Sequence, residues 1–223
     1  MNSKHFRWPF LAMLAAPFFR GHTKAIIIGS TLSWTNGDYY FAGGTEPRAI
    51  AYALAIILLY AVFLFTSSPK PGKPMTSLLR RFVAFWIDFF LYLMADAPLT
   101  GSLITVMEWR RTGTFAWSFE RTTPAPYDWW LNGLLVIFAF AAMAFYFALP
   151  LALSKPSPGS CIMGYQIVAD DPNGLTLWQA IRRTFFGFKA VCSSLFESFR
   201  SRNSEQGKFW LDEKFSTRAV KLD

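Results

Sequence analysis

The chain has 223 residues and a formal net charge of +8, and its composition is 53% hydrophobic, 18% aromatic and only 16% charged. These fractions depart from the averages of soluble domains and predict a membrane protein. They argue against a nucleic-acid-binding protein, because the basic residues lie beside apolar runs, where anionic lipid attracts them, and no nucleic-acid-binding motif accompanies them.

The N-terminal segment is predicted to lie in the membrane interface. Residues 5 to 20 combine Phe, Trp and Leu with basic residues, but Pro9 and Pro17 interrupt the apolar run, which is shorter than the roughly 20 residues that a crossing needs. A cleaved secretory signal is the alternative interpretation. Residues 25 to 48 are rich in turn formers, including Gly43-Gly44, and predict a loop.

Three apolar runs predict three transmembrane helices. They cover residues 49 to 65, 82 to 107 and 131 to 153. The second run contains Asp96, Pro98 and Gly101, which predict a kink or a locally opened backbone.

The loop between the first two runs predicts both a domain boundary and an orientation. Its prolines at residues 66 to 74 divide the chain into predicted domains of residues 1 to 74 and 75 to 221. Residues 66 to 81 carry four basic residues and no acidic one, which predicts the cytoplasmic side. A simple three-crossing model then places the basic residues 1 to 48 on the opposite side, against the positive-inside tendency. Either this segment re-enters and brings its first residues back, or the first run fails to cross.

The residues after the third run are predicted to return to the cytoplasm. Residues 164 to 168 predict a short strand that leads into a turn, and residues 175 to 199 predict a helix lying on anionic lipid. Cys161 and Cys192 lack the spacing of a disulfide framework or a zinc site and are predicted to be reduced. The predicted fold is an all-α membrane protein of about three transmembrane helices, with interfacial amphipathic helices and a short cytoplasmic strand-turn segment.

A carboxylate inside the second apolar run is the leading candidate for a site. Asp88 lies among Phe, Trp, Ile and Leu, where an ionised side chain is costly without a partner or water. Arg81 shares its helical face but lies about 10 Å away along the axis, too far for direct contact. We therefore expect Asp88 to meet a polar group of the third crossing, a water-filled crevice, or a basic residue such as Arg182 or Arg183.

The segment from Arg80 to Asp88 resembles the opening motif RRxxAxxID of the RDD family of membrane proteins, which is named for an arginine and two aspartates. Residues 158 to 183 and 211 to 220 are similar to later parts of that family, so the resemblance covers about residues 75 to 221. It implies that the name-giving positions are Arg81, with Arg80 as the adjacent candidate, Asp88 and Asp212.

The chain departs from the family pattern at two points. Ser160-Cys161 follow the Pro-Gly pair where the family usually has a basic residue, and Ser216 precedes Thr217 where the family usually has glycine. These departures bear on any activity that depends on that loop, whereas the resemblance still implies the family's fold.

Two functions remain open. Asp88, together with Asp96, is a candidate to bind a cation or proton during ion or small-solute transport, because intramembrane carboxylates are common coupling groups. The alternative is an accessory subunit of a larger membrane complex, with a stripe of alanines on the third crossing as a helix contact: Ala144, Ala148 and Ala152. A purely structural reading makes Asp88 a buried hydrogen-bonding pin and Asp212 a cap or ion-pair partner near the C terminus.

Catalysis is not expected. His5 and His22 have no Cys, Asp or Glu at ligand spacing, and nucleotide-binding and nucleophile motifs are lacking. We therefore expect no enzyme activity, no cofactor and no metal site. The expected partners are anionic lipids and either a second copy of the chain or other membrane proteins, and the expected location is a bacterial inner membrane that the chain crosses several times.

Overall fold

The computed structural model describes residues 3–19, 30–35, 38–66, 71–74, 78–171, 174–197 and 210–222. The described part is mostly helical. A short 3-10 helix, Ser3–Phe6, precedes seven α-helices: α1 Arg7–Phe19, α2 Pro47–Leu64, α3 Leu78–Thr112, α4 Asp128–Ala152, α5 Pro158–Met163, α6 Leu177–Glu197 and α7 Trp210–Lys214.

Three of the described helices are long and apolar enough to cross a membrane. They are α2, α3 from Leu79 onward, and α4, so the expectation of three such helices is confirmed. Helix α3 is continuous through Pro98, which is buried. Two nearby hydroxyls, those of Ser102 and Thr105, donate to the carbonyl oxygens of Leu99 and Gly101 within the same turn region.

In the part of the chain that the structure describes, six strands form two small antiparallel sheets that the sequence did not predict as sheets. The first has the order β1-β2-β4 and the second the order β3-β6-β5. The strands are β1 Ser30–Thr35, β2 Asp38–Gly44, β3 Pro71–Pro74, β4 Ser118–Arg121, β5 Tyr165–Ala169 and β6 Thr217–Leu222.

The predicted loop at residues 25 to 48 was wrong, because it contains the β1-β2 hairpin. Thr35 pairs with Asp38 at its end, and the sequence between them is Asn36-Gly37, the dipeptide that most strongly favours a two-residue hairpin connection. The many turn-forming residues favour a loop. The Asn36-Gly37 dipeptide, however, lies between two segments with strand-forming residues, and this arrangement is typical of a hairpin.

The chain divides into two compact units. The first comprises Met1–Leu11, Tyr60–Phe89 and Ala142–Asp223, and the second comprises Ala12–Leu59 and Phe90–Ala141. The second sheet lies in the first unit, where Ala84, Tyr165 and Ala219 form a buried cluster. The first sheet lies in the second unit, where Tyr39, Phe41 and Ile104 are buried together.

The start of the chain packs against the end of α2 within the first unit. The rings of Phe6 and Phe10 lie 5.5 and 5.3 Å from the ring of Phe63, measured between centroids, with edge-to-face geometry. All three side chains are buried, and such aromatic contacts add to the burial itself. Protein therefore covers two rings that were expected to insert into lipid, whereas Trp8 is exposed.

Candidate functional site

Asp212 lies between two arginines in the first unit. Its Oδ2 accepts a hydrogen bond from Arg81 Nη1 at 2.5 Å, and its Oδ1 accepts one from Arg183 Nη2 at 2.7 Å. Thr217 completes the cluster, since its Oγ1 donates to Asp212 Oδ1 and accepts from Arg183 Nε. We call these four residues the Asp212 cluster. It fastens α7 and the start of β6 to helices α3 and α6.

The Asp212 cluster carries more positive than negative charge. Two guanidinium groups share one carboxylate, and Asp212 and Arg183 are both buried. Burial lowers the pKa of Arg183 below its ordinary value, although Asp212 favours the charged form. The guanidinium is therefore not fully compensated for the loss of water.

Asp88 is buried and accepts three hydrogen bonds in the same unit. Ser157 Oγ donates to its Oδ2 at 2.5 Å, and the backbone N–H of Gly159 donates to its Oδ1 at 2.6 Å. The hydroxyl of Tyr146, on α4, donates to Oδ1 at 3.5 Å. Asp88 thus meets a polar group of the third apolar run and the beginning of α5, and among the described residues it forms no ion pair with Arg182 or Arg183.

The contact at Gly159 requires a residue without a side chain. A Cβ atom there would lie 2.1 Å from the carbonyl oxygen of Ala84 and 2.9 Å from Cγ of Asp88. The Pro158-Gly159 pair therefore lets α5 approach α3 closely enough for its backbone to reach the carboxylate. Ser157 caps this short helix, since its Oγ accepts from the N–H of Ser160, and Gly164 ends it with a φ of 76°.

Asp88 and the two arginines of the Asp212 cluster line one cavity of about 170 Å³. Its wall also includes Lys155, whose amine donates to the carbonyl oxygens of Leu64 and Thr66 at the end of α2. The apolar part of the wall is largely aromatic: Phe82, Phe85, Phe147 and Phe188. The predicted site residues Arg81 and Asp88 and the predicted partner Arg183 thus line one cavity, and Asp212 is joined to them through its ion pairs with the two arginines.

Three other predicted residues lie elsewhere. Arg80 and Arg182 are exposed. Asp96 is half-buried in the second unit, where the hydroxyl of Thr100 lies 3.5 Å from its Oδ2. The helical pattern that placed Arg80 next to Arg81 and Arg182 next to Arg183 could not decide which of each pair faces the interior.

A second ionic cluster, buried except for Arg111, lies in the second unit and was missed from sequence. Asp128 accepts hydrogen bonds from the guanidinium of Arg121, the hydroxyl of Tyr39 and the N–H of Ala125. Glu108 lies 3.5 Å from Arg121 and also pairs with Arg111. We call Tyr39, Glu108, Arg111, Arg121 and Asp128 the Asp128 cluster. The one sequence signal was an acidic residue in the first turn of α4.

No group of three or more metal-ligating side chains occurs among the residues that the structure describes. The buried thiol of Cys161 has a pKa raised by burial to about 11, so it is largely protonated near neutral pH. The described residues thus offer neither a group of metal ligands nor a reactive thiol at this cavity.

The model of the RDD family matches residues 75–206, more than half of the chain. Searches of curated proteins and of solved structures gave no match. Arg81, Asp88 and Arg183 lie inside the matched residues, whereas Asp212 lies beyond their end and the first sheet draws two of its three strands from residues before them.

Proposed function

Because the chain belongs to the RDD family of membrane proteins, we propose that it transports an ion or a small solute through a bacterial inner membrane and that Asp88 takes part in this transport. The observation that carries the proposal is the position of Asp88: its carboxylate is buried, lies in a helix able to span the membrane, and lines a cavity with three cationic side chains. Intramembrane carboxylates that line cavities commonly bind protons or ions in transporters.

In the proposed transport step, a bound proton or cation changes the hydrogen bonds that Asp88 accepts. Ser157 and Gly159 donate to different oxygens of the carboxylate, and such donors stabilise its ionised form. A proton or cation that reaches Asp88 from the cavity therefore competes with these donors and loosens the contact between α5 and α3. This links occupancy of the carboxylate to a small movement of α5.

The direct test is flux through proteoliposomes that contain the purified protein. We expect Asp88→Asn to abolish both ²²Na⁺ uptake and proton movement reported by a pH-sensitive dye inside the vesicles, because the amide carries no charge and binds no proton in this range. Ser157→Ala keeps the carboxylate and removes one of its donors, so it should retain flux and tests the contribution of that donor. Wild-type flux in Asp88→Asn, with an unchanged melting temperature, would sink the proposal.

The N-terminal contacts support a cytoplasmic N terminus. If α2 crosses the membrane, the packing of Phe6 and Phe10 on Phe63 brings the first residues to the side of residues 66 to 81. This favours the alternative in which the N-terminal segment returns, and it agrees with the positive-inside tendency. We expect a reporter fused at the N terminus to give a cytoplasmic signal, and a periplasmic signal would contradict this topology.

The accessory-subunit proposal has weaker support than the sequence suggested. Ala144 and Ala148 of the alanine stripe are buried within this chain, so they are not available to a partner helix. What still supports a partner is the exposed apolar surface of α4, including Ile137 and Phe138, which lipid also covers well. Purification in mild detergent separates the cases, because a stoichiometric second protein supports the subunit and a homo-oligomer supports transport.

A further inference from the structure

The cavity beside Asp88 and the Asp212 cluster is small for a typical ligand site. Its volume of about 170 Å³ lies below the roughly 300 to 1,000 Å³ of drug-sized pockets. It is close to the roughly 150 Å³ of an engineered apolar cavity that takes up benzene. The space therefore fits one ring-sized apolar body with a small polar group attached.

The wall has an aromatic side. Phe85, Phe147 and Phe188 contact one another with ring centroids 5.1 to 5.5 Å apart. Leu151 and Leu211 add further apolar surface. A planar or branched apolar body packs well against such rings, whereas a hydrated inorganic ion leaves their surface unfilled.

The charged side of the wall favours an anion. Three cationic side chains, those of Arg81, Lys155 and Arg183, line this wall, and Asp88 is the carboxylate among its described lining residues. Burial lowers the pKa of both Lys155 and Arg183, because their charged forms lose the stabilisation that water provides. A carboxylate placed beside them would restore it through charge-assisted hydrogen bonds.

We propose that this cavity binds a small organic anion whose carboxylate faces Arg183 and Lys155 and whose apolar body, about the size of a benzene ring, packs among the phenylalanines. The inference rests on the proposed function, in which this cavity is the solute site. It names the class of solute as an aromatic or short branched monocarboxylate.

Gly187 offers a way to fill the cavity without touching its charges. This residue of α6 lines the cavity, and a Cβ atom there would meet only Leu211 Cδ2, at 3.8 Å, an ordinary contact distance. A leucine at this position therefore extends into the open space. Gly133 in α4 is the matched control, because a Cβ there meets nothing within 4 Å and the residue does not line the cavity.

The experiment measures binding of radiolabelled benzoate to the full-length protein in lipid nanodiscs by equilibrium dialysis, with empty nanodiscs subtracted. We expect saturable binding to the wild type and to Gly133→Leu, and at least a tenfold loss of affinity in Gly187→Leu. Acetate, which lacks the ring, and benzyl alcohol, which lacks the charge, should compete at least tenfold more weakly than unlabelled benzoate. Benzylammonium should not compete.

A second variant protects the test against misfolding of Gly187→Leu. Lys155→Gln removes one positive charge and keeps an amide donor for the carbonyls of Leu64 and Thr66, and we expect it to weaken benzoate binding about tenfold at an unchanged melting temperature. Non-saturable binding, equal competition by benzyl alcohol, or unchanged affinity in both variants would overturn the inference. Benzoate binding without flux sensitive to Asp88→Asn refutes only transport, and such flux without benzoate binding refutes only the solute class.

Discussion

The two buried ionic clusters differ in how their charges balance. In the Asp212 cluster, Arg81 and Arg183 share a single carboxylate. In the Asp128 cluster, Arg121 and the exposed Arg111 face two carboxylates, those of Glu108 and Asp128. The first cluster therefore carries an excess positive charge beside a cavity, while the second is formally neutral.

This difference distinguishes the Asp212 cluster, a candidate binding site, from the Asp128 cluster, a structural ion-pair network. A neutral network whose carboxylate accepts three hydrogen bonds has little to gain from a ligand, and it holds β2 and β4 to the start of α4. A network in which a buried guanidinium shares its carboxylate with a second cation costs stability, because desolvation of the charged groups exceeds their mutual attraction. Such a cost is typical of sites that are stabilised when a ligand of opposite charge binds.

The comparison predicts unequal effects when each central carboxylate is neutralised. Asp212→Asn removes the carboxylate that Arg81 and the buried Arg183 share, and it should lower the free energy of unfolding by about 3 to 5 kcal/mol. Asp128→Asn should cost less, about 1 to 3 kcal/mol, because Glu108 remains 3.5 Å from Arg121. Denaturant titration of both variants in the same detergent measures the difference. Equal losses, or a larger loss at Asp128, would contradict the charge argument.

The sequence predicted the helices better than the contacts between them. Uncharged runs of membrane-spanning length are determined by local composition, so α2, α3 and α4 appeared within a few residues of their observed ends. The pairing of β3 with β6, by contrast, joins Pro71 to Leu222. Such long-range pairing leaves no local periodicity that a single sequence reveals.

The sequence predicted which residues belong to the candidate site, but it did not predict which of them form ion pairs with one another. Arg81, Asp88 and Asp212 came from the family resemblance, and an ionisable residue in an apolar run is a strong signal by itself. The sharing of Asp212 by Arg81 and Arg183 depends on how α7 packs on α3 and α6. The Asp128 cluster escaped notice because Arg121 and Asp128 lie in or next to a polar loop, where charged residues are common.

Tyr39 gives the Asp128 cluster a pH dependence at alkaline pH. Burial, and then its hydrogen bond to Asp128, raise the pKa of Tyr39 from 10.0 to about 12. The folded state thus favours the neutral phenol, so this contribution to stability is complete below pH 10 and is lost as the pH rises toward 12. We expect Tyr39→Phe to flatten the fall in melting temperature over this window and to cost about 1 kcal/mol at pH 8.

The control for this experiment is the neighbouring residue on the same strand. Tyr40 is exposed at the surface of β2, so Tyr40→Phe should retain most of the alkaline fall that the wild type shows. A wild-type profile in Tyr39→Phe would mean that the phenol of Tyr39 does not contribute to the stability of the Asp128 cluster.

The smallest effect is expected at the turn that leads into Thr217 of the Asp212 cluster. Ser216 has a φ of 47°, in the left-handed region that glycine adopts without the strain of a side chain, and the related family usually has glycine there. Ser216→Gly should therefore raise the free energy of unfolding by up to about 1 kcal/mol. Ser154 has a similar φ of 52° at the end of α4, and Ser154→Gly tests whether the gain is general. If the free energy of unfolding rises in Ser154→Gly but not in Ser216→Gly, the side chain of Ser216 contributes to the turn beside Asp212. Its contacts would then offset the backbone strain at this departure from the family pattern.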